Sequence, residues 1–381
     1  TPQDTDWGKS LIRFADESYM NEEAKEWLSF QVATTYGKDK DTWDERQEWV
    51  ANHISLIKRV AEDPIGCLSD WEGAEEPWQF LAACDEYYHC CILKDKDTTG
   101  LPVATDATCS GLQILALLAK DEKTARLVNV LPSDRPQDAY KVVAGVAKWN
   151  CPAHIQEVMD RKVVKRTVMT IPYNAKPYSN RSYIKDALAE KGIEIGKEDL
   201  TITVQAVRDA MHAVVPGPMN VMKWIEDEVS RAIKRGATEL EWVTPSGFVV
   251  NQRIMKKKIE VIELKLLGRC QLKVATDDTK EVDRNRHKAA TAPNLIHSLD
   301  ATLLHLSVQD FDNPIALIHD SVLCRATDMS ELSRIVRQKY MHIAGQDYLK
   351  DFAAQIGAET EPPIIGGLKP ESVIESTYFF C

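Results

Sequence analysis

An α+β fold, mostly helical, is what three observations predict for this chain of 381 residues. Apolar residues recur at three- and four-residue intervals over long stretches, as they do along amphipathic helices. Strand-like runs are few and short, and turn residues bound them. No internal repeat or low-complexity linker divides the pattern, so the chain reads as one interlocked body rather than a string of modules.

In chain order, Ser10–Tyr36 and Asp44–Ala61 carry the helical spacing. "LPVATDATCSG" reads as a short strand ending at Asp106, followed by a Gly-containing approach to the helix Leu112–Ala119. Helical periodicity resumes at Pro136–Trp149 and Ile155–Thr170 and dominates Leu200–Arg235. "ELEWVTPSGFVVNQ" has strands on either side of a Thr-Pro-Ser-Gly turn, and Lys258–Val274 continues with extended, alternating character. Leu295–Val308 is predicted helical. "ALIHDSVLCRA" then reads as a hairpin, with buried strands at Ile315–Ile318 and from Val322 to Cys324, and the helix Glu331–Ile343 follows.

At 44% hydrophobic and 28% charged residues, the composition is that of a folded chain and not a disordered one. No apolar run approaches the ~20 residues needed to span a bilayer. The opening "TPQDTDWGKSLIRFADE" is polar and acidic, unlike a signal or transit peptide, and lacks an initiator Met. The nine cysteines are an odd count without a CxxC pair, and the densest group, "YYHCC" at Tyr87–Cys91, has no second ligand pair at zinc spacing. They read as reduced thiols of an intracellular protein. A net charge of −11 argues against indiscriminate binding to nucleic acid. The positive charge is nevertheless uneven, with "DRKVVKRTVM" and "MKKKIEVIELKLLGR" basic and Asp4–Asp85 strongly acidic, so a local basic cleft stays open.

Two acids and one helix carry the chemistry. Asp320 sits at the tip of a hairpin whose arms belong to the core. A turn Asp commonly caps its own backbone. Asp106 ends an apolar strand before a helix, where an Asp commonly caps the helix N-terminus. In "RKVVKRTVMTIPYN", Arg161, Lys165, Met169 and Tyr173 fall at four-residue steps along one helical face, with Arg166 beside it. An ordinary surface helix would pair such cations with acids four residues away, and the motif supplies none for Arg161 or Lys165. Unpaired cations suit an anionic ligand. A triphosphate fits, since Lys offers a compact charge and Arg a fork of donors. Two carboxylates from distant parts of the chain could hold Mg²⁺, which prefers hard oxygen ligands. A pair of such ions suits nucleotidyl transfer.

In this order, "DATCSG", "RKVVKRTVMTIPYN" and "HDS" resemble motifs A, B and C of the single-subunit, bacteriophage-type RNA polymerases, a group that includes mitochondrial and some plastid enzymes. "PNLIHSLDATLLH" resembles the helix before motif C, "WVTPSGF" the base of the promoter-specificity hairpin, and "ESTYFFC" the aromatic C-terminal tail. The likeness covers nearly the whole chain. It implies a DNA-directed RNA polymerase with two Mg²⁺ ions, whose partners are a DNA template, an RNA product and ribonucleoside triphosphates, with no membrane. Asp106, the Ala107 carbonyl and Asp320 would bind metal; Asp106, Lys165 and Asp320 would be catalytic. Arg161, Lys165, Arg166, Met169, Tyr173 and His297 would bind nucleotide, with Tyr173 selecting the ribose. The location implied is the cytoplasm of an infected host cell, or alternatively the mitochondrial matrix.

The implied architecture is a right-hand palm and fingers, with the palm at 1–132 and 297–381. The fingers would span 133–296, with a specificity-type hairpin at 242–273. The family's N-terminal domain and thumb are expected to be absent, so a missing N-terminal portion or separate subunit is a further expected partner. Ala107 replaces a usual Gly, and its carbonyl remains available. Asn174 also replaces a usual Gly, and Asn tolerates positive φ. Pro172 should end or kink the helix before Tyr173. Two other readings compete. A family A DNA polymerase would carry a Glu in motif A and His-Asp-Glu in motif C, where this chain has "SGLQ" and Ser321. A catalytically weak or silent nucleic-acid-binding fragment would not need Asp106, Lys165 and Asp320, all of which are present.

Overall fold

The sheet that organises the molecule joins strands far apart in sequence. The computed structural model describes residues 4–264 and 270–380. Pro102–Thr105 (β1), Ile315–Ile318 (β2) and Ser321–Arg325 (β3) form one antiparallel sheet in the order β1-β3-β2. Pro102 pairs with Arg325 and Thr105 with Val322 on one side of β3, and Ile318 pairs with Ser321 on the other. As the central strand, β3 buries Val322, Leu323 and Cys324. β2 lies at the edge and is fully buried only at Ile318, so the expected burial of its whole length is corrected. Pro102 stands at the start of an edge strand, where its missing N–H is tolerated.

Soon after β1 comes Ser110–Ala119 (α1), in which every residue is buried. Its sequence, "SGLQILALLA", has no charge on any side, as a helix wholly inside a core requires. It packs against the helix Pro216–Lys234 and against Arg284–Gln309. Arg161–Thr170 (α2) begins at Asp160, whose carboxylate accepts from the Val163 N–H at 3.2 Å. It stops two residues before Pro172, as expected, and Asn174 in the following turn has φ 62°. Arg284–Gln309 (α3) runs through Pro293, and Met329–Gly345 (α4) follows the sheet.

Several helical spans are shorter than their periodicity predicts. Within Ser10–Tyr36 the regular helix is Glu22–Ala33, begun by Asn21, whose side chain accepts from Ala24 N at 2.7 Å. Before it, Ser18–Tyr19 pairs with Thr98–Thr99. After it, a wider turn runs to Gly37 at φ 115°. Asp44–Ala61 breaks at His53, and Leu200–Arg235 breaks between Val214 and Pro216, where proline cannot continue the hydrogen-bond ladder.

The expected hairpin at 242–273 is two successive hairpins. Leu240–Val243 pairs with Val249–Gln252, and Met255–Leu264 pairs with Cys270–Val282. The first is anchored by buried Trp242, whose ring meets Phe352 edge-on at 5.6 Å and whose Nε1 donates to Ser298 Oγ at 3.2 Å. The tip of the second, residues 265–269, lies outside the described residues, as do residues 1–3 and Cys381. The aromatic tail folds back under the sheet. Thr108 Oγ1 donates to the Tyr378 carbonyl at 2.9 Å, Ala107 bridges to Phe380, and Phe379 packs on Tyr340 at 4.7 Å.

Candidate active site

Asp106 and Asp320 reach the same end of the sheet because of its register. Thr105 opposes Val322, so the next residue of β1 arrives beside Ser321 and the β2–β3 tip. That tip is a two-residue reversal, His319–Asp320, with His319 held at φ 57°. A left-handed backbone is uncommon outside glycine, though histidine is among the residues that tolerate it. Neither acid serves mainly as a cap. The Asp106 carboxylate accepts from its adjoining Ala107 N–H at 2.8 Å, and the neighbouring Ser321 hydroxyl favours its charged form.

Both carboxylates line a cleft of about 900 Å³ that residues of α2 line as well. Asp106 touches solvent there yet is ringed by protein. Burial, then the charge of Asp320, pushes it up to about 6 despite the hydrogen bonds that oppose the shift. A third acid, Asp300, stands in the same cleft, raised to about 7 by burial and then by Asp320 and Asp106. Repulsion of this kind, among hard oxygen donors, is what a divalent cation between Asp106 and Asp320 would relieve. Among the described residues no group of three or more His, Cys, Asp or Glu side chains encloses a metal position. An ion held here would therefore complete its shell from substrate and water, as Mg²⁺ commonly does.

From α2, Arg161, Lys165 and Met169 face this cleft, as does Tyr173 in the turn beyond. Lys165 makes no ion pair among the described residues. Arg161 is different: its guanidinium lies 2.8 Å from Asp138 and over the Tyr140 ring at 5.5 Å, so its charge is already compensated from a neighbouring helix. The Asp138 contact is out of line for a hydrogen bond, which leaves the buried Nε–H without an acceptor. Arg166 does not line the cleft. One residue on from Lys165 turns it by about 100° around the helix, and its guanidinium sits over Tyr183 at 4.4 Å. Arg166, expected to bind nucleotide, thus stands apart from the cleft lining, and Arg161 is not the free cation its motif suggested.

Tyr173 is clamped. His297 of α3 stacks on its ring at 4.7 Å and 17°, and Ser110 Oγ lies 3.2 Å from its hydroxyl. A Cβ at Gly111 would stand 3.1 Å from that hydroxyl and from Pro172, closer than ordinary contact, so the bare glycine gives the ring its room. Pro172 thus ends the helix and also wedges the tyrosine against α1. Three residues escaped the sequence reading: Asp300, Ser110 and Ser321 as the neighbour of Asp106. Asp300 lies three residues after His297, one helical turn along the same face, and that spacing could have shown it.

Acidic side chains and a helix carrying cations line one open cleft, and that is the class of site the fold presents: clustered carboxylates with basic groups in the same cavity. The particular family follows from comparison. The family model for DNA-dependent RNA polymerase matches residues 18–380, and the chain belongs to that family. It is 28% identical over 410 residues to the chloroplastic DNA-directed RNA polymerase 3 of Nicotiana sylvestris, covering 99% of this chain and 41% of that protein. The DNA-directed RNA polymerase of Enterobacteria phage T3 is 27% identical over 451 residues, covering 100% and 51%. That of Pseudomonas phage phiKMV is 28% identical over 414 residues, covering 100% and 50%. The chain thus spans about half the length of these relatives or less. Among the described residues no helix is long and apolar enough to cross a membrane.

Proposed function

We propose that the chain carries the catalytic portion of a DNA-directed RNA polymerase and performs template-directed ribonucleotidyl transfer. The observation that carries this reading is the meeting of Asp106 and Asp320 at one end of a sheet, in one cleft with the unpaired Lys165. Asp106, Asp320 and the Ala107 carbonyl would hold two Mg²⁺ ions. Bound there, the ions supply charge neutralisation at the attacking hydroxyl and the departing pyrophosphate. Ser321 favours the charged form of Asp106, and the hydrogen-bonded sheet fixes both acids against rotation.

Lys165 grips the triphosphate of the incoming nucleotide, with Met169 giving an exposed, polarizable surface beside it. Tyr173 and His297 form a stacked wall at the sugar. In this reading residues 1–132 and 297–381 form the palm and 133–296 the fingers. The acids, His297 and Asp300 belong to the first, and α2 belongs to the second. The ligands are a DNA template, the RNA product and ribonucleoside triphosphates. The compartment is the cytoplasm of an infected cell or the mitochondrial matrix, in line with relatives from phages and organelles.

Extension of an RNA primer on a DNA template tests the proposal. Wild type should extend it in Mg²⁺, and Asp320→Asn should abolish extension while keeping the wild-type melting curve. Equal extension by both would remove the carboxylate from the mechanism. Template binding by wild type with no extension at all would leave the chain a nucleic-acid-binding fragment.

A further inference from the structure

A second cavity, of about 340 Å³, shares no lining residue with the cleft that holds Asp106 and Asp320. Its walls come from the helices Glu22–Ala33 and Trp43–Asn52, from α4, and from the tail between Ile374 and Phe380. Three aromatic side chains give it flat surfaces. Trp27 meets Trp43 edge-on at 4.8 Å and Phe30 at 5.2 Å, and Phe30 stacks on Trp43 at 5.4 Å.

The guanidinium groups of Arg46, Arg334 and Arg337 line the same cavity, against the single carboxylate of Glu375. Arg337 is spent on the tail, donating to the Ser376 and Thr377 carbonyls at 2.8 and 3.0 Å. Arg46 is only 1% exposed and makes no ion pair among the described residues. Its Nε donates to the Asp41 carbonyl at 3.2 Å, Nη1 to the Thr34 hydroxyl at 3.2 Å and Nη2 to the Asp39 carbonyl at 2.8 Å, and its face lies over Phe30 at 4.6 Å. A guanidinium has five N–H donors. One on each Nη of Arg46 therefore has no acceptor among the described residues. Neutral acceptors satisfy donors but leave a buried charge uncompensated, and that costs stability. Arg334 is exposed and also makes no ion pair among the described residues.

We propose that this cavity binds a small ligand with a planar aromatic ring and a compact anion, carboxylate or phosphate. The ring lies among Trp27, Phe30 and Trp43, whose faces and edges suit stacking. The anion takes the N–H groups that Arg46 has to spare and the fork of Arg334. A cavity at the low end of the size of small-molecule pockets holds one such ligand. The site asks nothing of Asp106, Asp320 or Lys165, so it stands or falls apart from the proposed catalysis.

Calorimetry on the 381-residue chain in metal-free buffer tests this, with 5′-AMP and indole-3-acetate as probes. At least one should bind, and the tighter of the two shows whether the anion is phosphate or carboxylate. Adenosine and indole keep the ring without the charge, and each should bind at least tenfold more weakly than its anionic counterpart, as the loss of a charge-assisted hydrogen bond requires. Arg46→Met and Arg334→Glu should each weaken the probe by the same factor, and Glu375→Gln should tighten it. If Arg46→Met fails to fold, the exposed Arg334 carries the comparison. Lys165→Ala should leave the affinity unchanged. Hydrogen exchange with the probe bound should be slowed at 27–46 and 330–337 and unaltered at 161–173. Failure of both probes to bind, equal binding of the uncharged rings, or protection confined to 161–173 would overturn the inference. Loss of binding in Lys165→Ala would do the same, because it would place the probe in the other cleft.

Discussion

Lys165 projects into the cleft without an acid to neutralise it among the described residues, while Arg161, one turn earlier, leans on Asp138. On the proposed function the free charge is the better phosphate ligand, since its partner has still to arrive. A charge-assisted contact of this kind contributes roughly 1.5–3 kcal/mol. Lys165→Ala should therefore lower kcat/KM for nucleotide more than tenfold and leave primer–template affinity unchanged. A loss of primer–template affinity with nucleotide kinetics intact would move Lys165 to the nucleic-acid strand. Asp300 supports a second expectation, about pH. A carboxyl raised to about 7 on folding binds more protons folded than unfolded at any pH between its ordinary value and 7. Its contribution to stability is thus present in acid and fades as pH rises. Asn does not titrate, so in metal-free buffer the Tm of Asp300→Asn minus that of wild type should climb from pH 5 to 8. A flat difference would contradict the burial and repulsion assigned to this group.

Among the elements, α2 shows how a helix end sets a side chain's place. Pro172 halts the ladder, and the turn closes with Asn174 at φ 62°, its Nδ2 donating to the Ala289 carbonyl at 2.9 Å and to Glu226 at 3.0 Å. Asn174→Gly loses those bonds but keeps an easy backbone. Asn174→Ala loses them and also holds a Cβ in the left-handed region, at a further cost of roughly 1–2 kcal/mol. Urea unfolding should rank the stabilities Asn above Gly above Ala, and Ala equal to Gly would mean the turn has relaxed. This element was readable in advance because its determinants are neighbours in sequence: a four-residue stripe, a proline and an Asn. The partners of that stripe were not. Asp138 and Tyr183 reach Arg161 and Arg166 from other helices, and spacing within a motif says nothing of them. The long helical spans were over-read for the reverse reason. Periodicity persists across His53 and Val215, where the backbone turns even though the apolar stripe does not.

At the scale of the whole molecule, the family was legible because its motifs are short, ordered and local. The Ser110–Tyr173 contact was not, because the two residues share no sequence window and meet only in the folded chain. The same holds for the central sheet. Its outer strand β1 comes from the first third of the chain, whereas β2 and β3 come from near the C-terminus and insert beside it. Domains form largely as the chain emerges during synthesis, and pairings between distant segments come late. Asp106 thus leaves the ribosome long before the strand that will stand beside it. Until Asp320 has been made, the growing chain has the helix proposed to grip triphosphate and Asp106, but not the second acid proposed to work with them. On the proposed function, catalytic competence waits for that second acid, so a product truncated before Asp320 should not extend a primer even where its upstream part has folded.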